Sequence, residues 1–370
     1  MAHAAPFSAV PGAVIVDDVL QHVGNPMGEQ RALARGTALA PLGDRAVIAV
    51  DGEDRLTWLD SLTSQALARL APGESTELLV LDPQGRIEHV AAVVDDGATA
   101  WLIVDRADAE GLLAWLTRMR FRLRVQPRSA DAEVAVIGGS PDAISRVAPA
   151  APAGTPLVWH DPWPAITPGG HGYAPVDPHP GSERRWAEAL VAIEELDRIA
   201  ADAASGVVDL AGVVAADALR VAAWRPRWSG EVDERAIPHE SDWMRTAVHL
   251  SKGCYRGQET VAKVHNLGHP PRRMVALQLD GSDAALPERG AVVRRDGDEV
   301  GIVTSAARHF EEGPIALAVL RRGVPVDAAL TVDVEGAQIA AAQEVIVPPD
   351  AGATANVPRI TRLSRRARAT

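Results

Sequence analysis

The run Lys252-Gly253-Cys254-Tyr255-Arg256-Gly257-Gln258-Glu259 concentrates more potential chemistry than any other part of this 370-residue chain. Lys252, Cys254 and Arg256 alternate, and two cations beside one thiol favour its thiolate, the nucleophilic and metal-binding form. Gly253 and Gly257 permit tight turns and close backbone approach. Residues Gly257 to Val264 can start a helix, and a cysteine just before a helix N-terminus gains a further push toward thiolate. Two readings stay open: a reactive or ligating thiol, or the small buried hydrophobe that most free cysteines are. No Cys–His–Asn pattern marks a protease nucleophile.

Two further groups of residues could bind or react. His265 and His269 are four apart, a spacing that suits a metal on a helix, but Gly268 and Pro270-Pro271 predict a loop there. No carboxylate or third histidine stands at a suitable distance, so no metal is expected. Trp224, Trp228 and Trp243 bracket Glu231, Asp233, Glu234 and Glu240. Aromatic faces with carboxylates suit a flat heterocycle, because a carboxylate can take paired hydrogen bonds from a 2-aminopyrimidine edge. The plainer reading makes the tryptophans core and the acids solvated. Dinucleotide, P-loop and α/β-hydrolase fingerprints are absent.

Composition bounds the rest. There are 37 basic and 49 acidic residues, a net charge of −12, which does not suit nucleic-acid binding. Cys254 is the chain's single cysteine, so no internal disulfide is expected. One thiol cannot build an iron–sulfur cluster without ligands from elsewhere. No signal peptide and no membrane span is read, which makes the cytoplasm the expected compartment.

The elements that must position these residues read as α+β, with mixed hairpins and helices. Residues 1–35 read as a leader of turns. Residues 36–130 read as a first α+β domain: strands at Arg45–Val50, Leu78–Leu81, Arg86–Val94 and Ala100–Val104, helices at Glu53–Leu62 and after Asp105, and a strand at Phe121–Val125 from strict alternation. The turn Asp82-Pro83-Gln84-Gly85 joins two of the strands. Residues 131–271 read as a second α+β domain, with a loop-rich crossing at 141–182, a long helix over Glu183–Ala203 and another over Asp209–Trp224. Short alternating runs over 272–348 predict a small β-barrel, and residues 349–370 a basic tail.

The segment KGCYRGQE, followed by TVAKVHNLGHPPRR, resembles the signature of the YgfZ family through Lys252, Gly253, Cys254, Tyr255, Gly257, Gln258, Glu259, His265, Gly268, Arg272 and Arg273. The resemblance extends to Asp54–Gln65, Leu81–Ile87, Val303–Ser305 and Ala316–Arg322. It implies an aminomethyltransferase-like fold: two α+β domains around a central folate cavity, plus a C-terminal barrel. It implies tetrahydrofolate or a one-carbon derivative as cofactor, and iron–sulfur client or assembly proteins as partners. A cluster would be held transiently, if at all, and tRNA modification would be affected indirectly. Cys254 and Lys252 would be the catalytic pair, with Lys252 and Arg256 supporting the thiolate. Glu240, in Ile237-Pro238-His239-Glu240, would meet the pterin edge. Tyr255, Arg256, Gln258, Glu259 and Arg273 would be further cofactor-binding residues at the mouth. The sequence departs from the transferases at Gly85–Val90, where His89 or Val90 stands in place of an aspartate and Glu88, one step away, is expected on the opposite side of the strand. It departs again near Ala222 and Trp224, where a glutamate and a glycine are usual. Three functions remain open: an accessory factor for iron–sulfur enzymes, a folate-dependent one-carbon transferase or demethylase, and a folate-sensing binding module.

Overall fold

The computed structural model describes residues 3–281 and 285–355. The chain opens with a 3-10 turn at Ala5–Ala9, a hairpin of β1 (Val14–Val16) and β2 (Val19–His22), and helix α1 (Pro26–Ala34). Next come β3 (Ala38–Pro41), β4 (Arg45–Asp51), α2 (Arg55–Leu62), β5 (Ser75–Leu81), β6 (Ile87–Asp95), β7 (Thr99–Asp105), α3 (Arg106–Met119) and β8 (Gln126–Ser129). The middle of the chain holds β9 (Val134–Gly139), α4 (Pro141–Ile144), β10 (Val158–His160), β11 (Ala187–Ala192), α5 (Glu195–Ala204), β12 (Asp209–Leu210), α6 (Val213–Ala222), α7 (Trp228–Glu231) and α8 (Gln258–Leu267). The last six strands are β13 (Arg272–Leu279), β14 (Val292–Arg295), β15 (Asp298–His309), β16 (Gly313–Arg321), β17 (Leu330–Val334) and β18 (Ala337–Val345).

These strands make two five-stranded sheets, ordered β5-β6-β7-β4-β8 and β10-β11-β9-β3-β12, and a closed barrel ordered β13-β16-β15-β14-β17-β18. The α+β class and the C-terminal barrel are as the sequence predicts. In β4 and β7 nearly every residue is buried, because each has a sheet neighbour on both sides and side chains packed on both faces. One face meets α2 and α3 through Trp58, Leu59, Leu112 and Trp115. The other meets the second sheet through Val47, Trp101, Trp159 and Trp186.

Several expectations need correction. The described part of the leader, residues 3–35, packs on the body of the protein: Phe7 and Leu20 are fully enclosed against the second sheet, and α1 packs on α6. β3 pairs with β9, so residues 38–41 belong to the second sheet rather than to the first domain. The long helix read over Glu183–Ala203 is a strand and a shorter helix. Ala187–Ala192 pairs with β9 and β10, and only Glu195–Ala204 is helical. Trp186, Leu190 and Ile193 match a helical period by coincidence, since burial on both sheet faces also produces a nearly continuous apolar run. Phe121–Val125 is irregular, because β4 ends at Asp51 and only Gln126–Ser129 has a pairing partner. The helix read from Asp209 begins at Val213, Asp209 and Leu210 being spent on parallel pairing with β3. The tail from Asn356 onward lies outside the described residues.

Candidate functional site

Lys252 anchors the signature loop. Its ammonium donates to the carbonyls of Thr63 (2.9 Å), Gln65 (2.7 Å) and Asp60, in the last turn of α2 and just past it. Three N–H donors meet three carbonyls, and a cation is favourable at a helix C-terminus. Burial lowers the Lys252 pKa, while the Asp60 carboxylate 3.5 Å away opposes that shift. Tyr255 is buried in the core under the loop, with the Lys252 ammonium 5.5 Å from its ring centre, and burial pushes its phenol pKa up. Gly257 has φ +84°, and a Cβ there would sit 2.5 Å from the Asp82 carbonyl oxygen. Its close approach seats the N-terminus of α8 on the Asp82–Gly85 turn, so two distant sequence features meet.

Cys254 and Glu259 are exposed, and Gln258 reaches back to the Lys252 carbonyl at 3.4 Å. Arg256 bonds the Glu88 carboxylate at 2.6 Å. The expectation that Lys252 and Arg256 support a Cys254 thiolate is therefore not met. One cation is committed to backbone carbonyls beneath the loop and the other to Glu88.

Glu240 and Arg273 also depart from expectation. Glu240 is buried and paired with Arg272 at 2.8 Å; Arg272 also grips Asp233 at 2.6 Å. That carboxylate is occupied and does not line the central cavity. Arg273 is enclosed in the barrel rather than placed at any mouth. His265 lies on α8 and bonds the Tyr173 hydroxyl at 2.9 Å, whereas His269 bonds the Ala351 carbonyl at 2.9 Å. Among the described residues no cluster of three ligands suited to a metal ion occurs.

The cavity itself lies between the two sheets, and sequence reasoning missed most of its wall. Trp228 and Trp243 reach it, as do Trp159 and Trp186. Arginines with their own carboxylates fill much of the remainder. Arg225 binds Glu77 at 2.7 Å and Asp161 at 3.2 Å. Arg227 binds Asp44 at 2.6 Å and Asp105 at 2.8 Å. Arg220 binds Asp217 at 2.6 Å and Glu231 at 3.1 Å. Burial alone would raise the Asp105 pKa, but Arg45 and Arg227 outweigh it and hold the group at about 2. The run Arg220–Arg227 carries three of these cations. Its signal is a cluster of arginines in the last turn of an apolar helix and just after it, visible in the sequence but without visible partners.

The first sheet presents Val90 and Ala92 to the cavity. His89 faces the other way and bonds Asp108 at 2.6 Å. Glu88 stands at an irregularity in the β5–β6 pairing, between Ile87 opposite Leu81 and His89 opposite Val80; its carboxylate is held by Arg256, and its carbonyl accepts from Trp228 Nε1 at 3.0 Å.

Residues 272–349 match the glycine cleavage T-protein C-terminal barrel domain. The chain is 28% identical over 305 residues to an aminomethyltransferase of Nostoc sp. (strain PCC 7120), covering 78% of each protein. It is 26% identical over 328 residues to an aminomethyltransferase of Geobacillus kaustophilus, covering 85% of this chain and 87% of the relative. The crystal structure of glycine cleavage system aminomethyltransferase T from Bartonella henselae superposes with a TM-score of 0.70 at 18% identity, over 92% of this chain and 94% of that one. The chain has the aminomethyltransferase fold. Within that aminomethyltransferase-like frame, the cavity lies between the two sheets and the signature loop packs on the outer end of the β5–β6 hairpin. The likeness extends over the whole architecture, including the barrel.

Proposed function

We propose that this aminomethyltransferase-like protein binds a reduced folate in its central cavity and serves as an accessory factor for iron–sulfur enzymes, as its YgfZ-like signature implies. The observation that carries the reading is a division of labour between two places. Val90, which with His89 is one of the two residues read in place of the transferases' aspartate, stands on the cavity wall beside Ala92, while Cys254 is held at the surface by a loop anchored through Lys252.

The lining residues suit a folate chemically. Asp44 Oδ1, Arg45 Nε and Trp243 Nε1 are buried with no partner among the described residues, leaving one acceptor and two donors unused at the cavity wall. Trp228 and Trp243 offer aromatic faces, Asp44 a carboxylate for an aminopyrimidine edge, and Arg45 and Arg184 charge for acidic tail groups. The cavity volume is about 80 Å³, below the roughly 300–1,000 Å³ of ordinary ligand pockets, so entry requires arginine side chains such as Arg227 to swing aside. Tetrahydrofolate, when bound, supplies a carrier for one-carbon units. Cys254 acts outside the cavity, as nucleophile, redox thiol or one ligand of a cluster whose other ligands come from a client.

Complementation of a strain lacking the homologous factor tests the reading. Cys254→Ala and Cys254→Ser should both fail to restore the iron–sulfur enzymes while still binding folinic acid. Full activity of both variants would remove the thiol from the function and leave a folate-sensing module. A one-carbon transferase is the second reading, favoured by the aminomethyltransferase relatives. Measurable turnover of methylene-tetrahydrofolate with an amine would replace the accessory role with it.

A further inference from the structure

We propose that the C-terminal barrel holds a small inorganic anion, of chloride size, against Arg273. Alternation along β13 sends Val275, Leu277 and Leu279 into the barrel core, and Arg273 points the same way at the end of that row. Its side chain is 0% exposed, among the largest fully enclosed side chains of the protein. Nη2 donates to the Val324 carbonyl at 3.0 Å and to Gln343 Oε1 at 2.9 Å. The Gln343 amide nitrogen donates to the Pro325 carbonyl at 2.9 Å, which fixes its oxygen toward the arginine. Both acceptors are neutral. Nε and Nη1 have no partner among the described residues.

Among the described residues the charge has no carboxylate partner. A guanidinium does not deprotonate in proteins, so it cannot escape burial by neutralising. The cavity arginines Arg220, Arg225 and Arg227 each hold at least two carboxylates, whereas no carboxylate among the described residues pairs with Arg273. Its neighbour Arg272, by contrast, pairs with Asp233 and Glu240. Removing an unpaired cation from water is strongly unfavourable. A trapped water would satisfy the free N–H groups without offsetting the charge; an anion does both. Complete enclosure favours a monatomic ion over phosphate or a carboxylic acid. Arg273 does not line the central cavity, so this site is independent of the folate reading.

Thermal melts of the intact protein in sodium chloride and in sodium gluconate, at equal ionic strength, test the proposal. Chloride should raise Tm saturably by about 2–4 °C over gluconate, and Arg273→Met should abolish the difference. Equal melts in the two salts, or a chloride effect that survives in Arg273→Met, would overturn it. Should the methionine variant not fold, Arg273→Gln takes its place. Crystals of the unaltered protein grown in sodium bromide give an answer that needs no variant. Anomalous density within hydrogen-bond distance of Arg273 Nε or Nη1 is the expected result, and a water alone there would refute the site.

Discussion

Lys252 holds three carbonyl oxygens at the end of α2, which makes it a structural clamp under the signature loop. Lys252→Met keeps the apolar stem and removes every donor. It should cost about 3 kcal/mol in urea unfolding, the range for a charged group whose buried partners are left unsatisfied. Unchanged stability with lost function would instead return Lys252 to a chemical role at the thiol. Asp242 gives a prediction with a pH sign. Burial pushes its pKa from 3.8 to about 7, and its backbone sits at φ 59°, which asparagine tolerates. The folded protein keeps a proton that the unfolded chain releases between about pH 4 and 7. That stabilisation is complete below pH 4 and is lost as pH rises through 7. Asp242→Asn keeps an acceptor for the Tyr173 N–H, now 2.6 Å from Oδ1, and removes the titration. Its Tm should exceed that of the parent at pH 8 and equal it near pH 4; a pH-independent difference would contradict this. The residue types of the signature were legible in the sequence, but their partners were not. Alternation of Lys252, Cys254 and Arg256 suggests a shared charge field, and only the fold shows the cations leaving in different directions.

Among the elements, the decisive contact is α8 on the β5–β6 turn. Gly257→Ala forces a Cβ toward the Asp82 carbonyl at a left-handed backbone position, with an expected loss of about 2 kcal/mol or more. Amide exchange should accelerate over residues 252–260 and 82–86 together, while the barrel keeps its protection. Uniform acceleration throughout would mean that the contact has no local role. Strand and turn patterns of the first sheet were readable because period-two alternation and the Asp82–Gly85 turn reinforce each other. The second sheet was not, because β11 is buried on both faces and its apolar run fits a helix equally well. Phe121–Val125 shows the converse: correct alternation makes no strand where β4 offers no edge to pair with.

At the scale of the whole molecule, buried ion pairs join the two sheets across the cavity. Arg225 links Glu77 on β5 to Asp161 beyond β10. Arg225→Ala would leave buried Glu77 without a cation and Asp161 with Arg184 alone, and a loss of about 3–5 kcal/mol is expected in equilibrium unfolding. A change below 1 kcal/mol would show that water reaches those acids freely. This network could not be read from the sequence, since its partners are as far apart as Asp44 and Arg227, and charges in such positions look like solvated surface. The fold was legible through the barrel pattern and the signature, whereas the cavity wall was not. Calorimetric titration of the intact protein with tetrahydrofolate and folinic acid tests the central claim most directly. One saturable site is predicted, unchanged in Cys254→Ala and weakened about tenfold in Asp44→Asn, which loses a charged acceptor. No heat with either folate, or binding indifferent to Asp44, would contradict it.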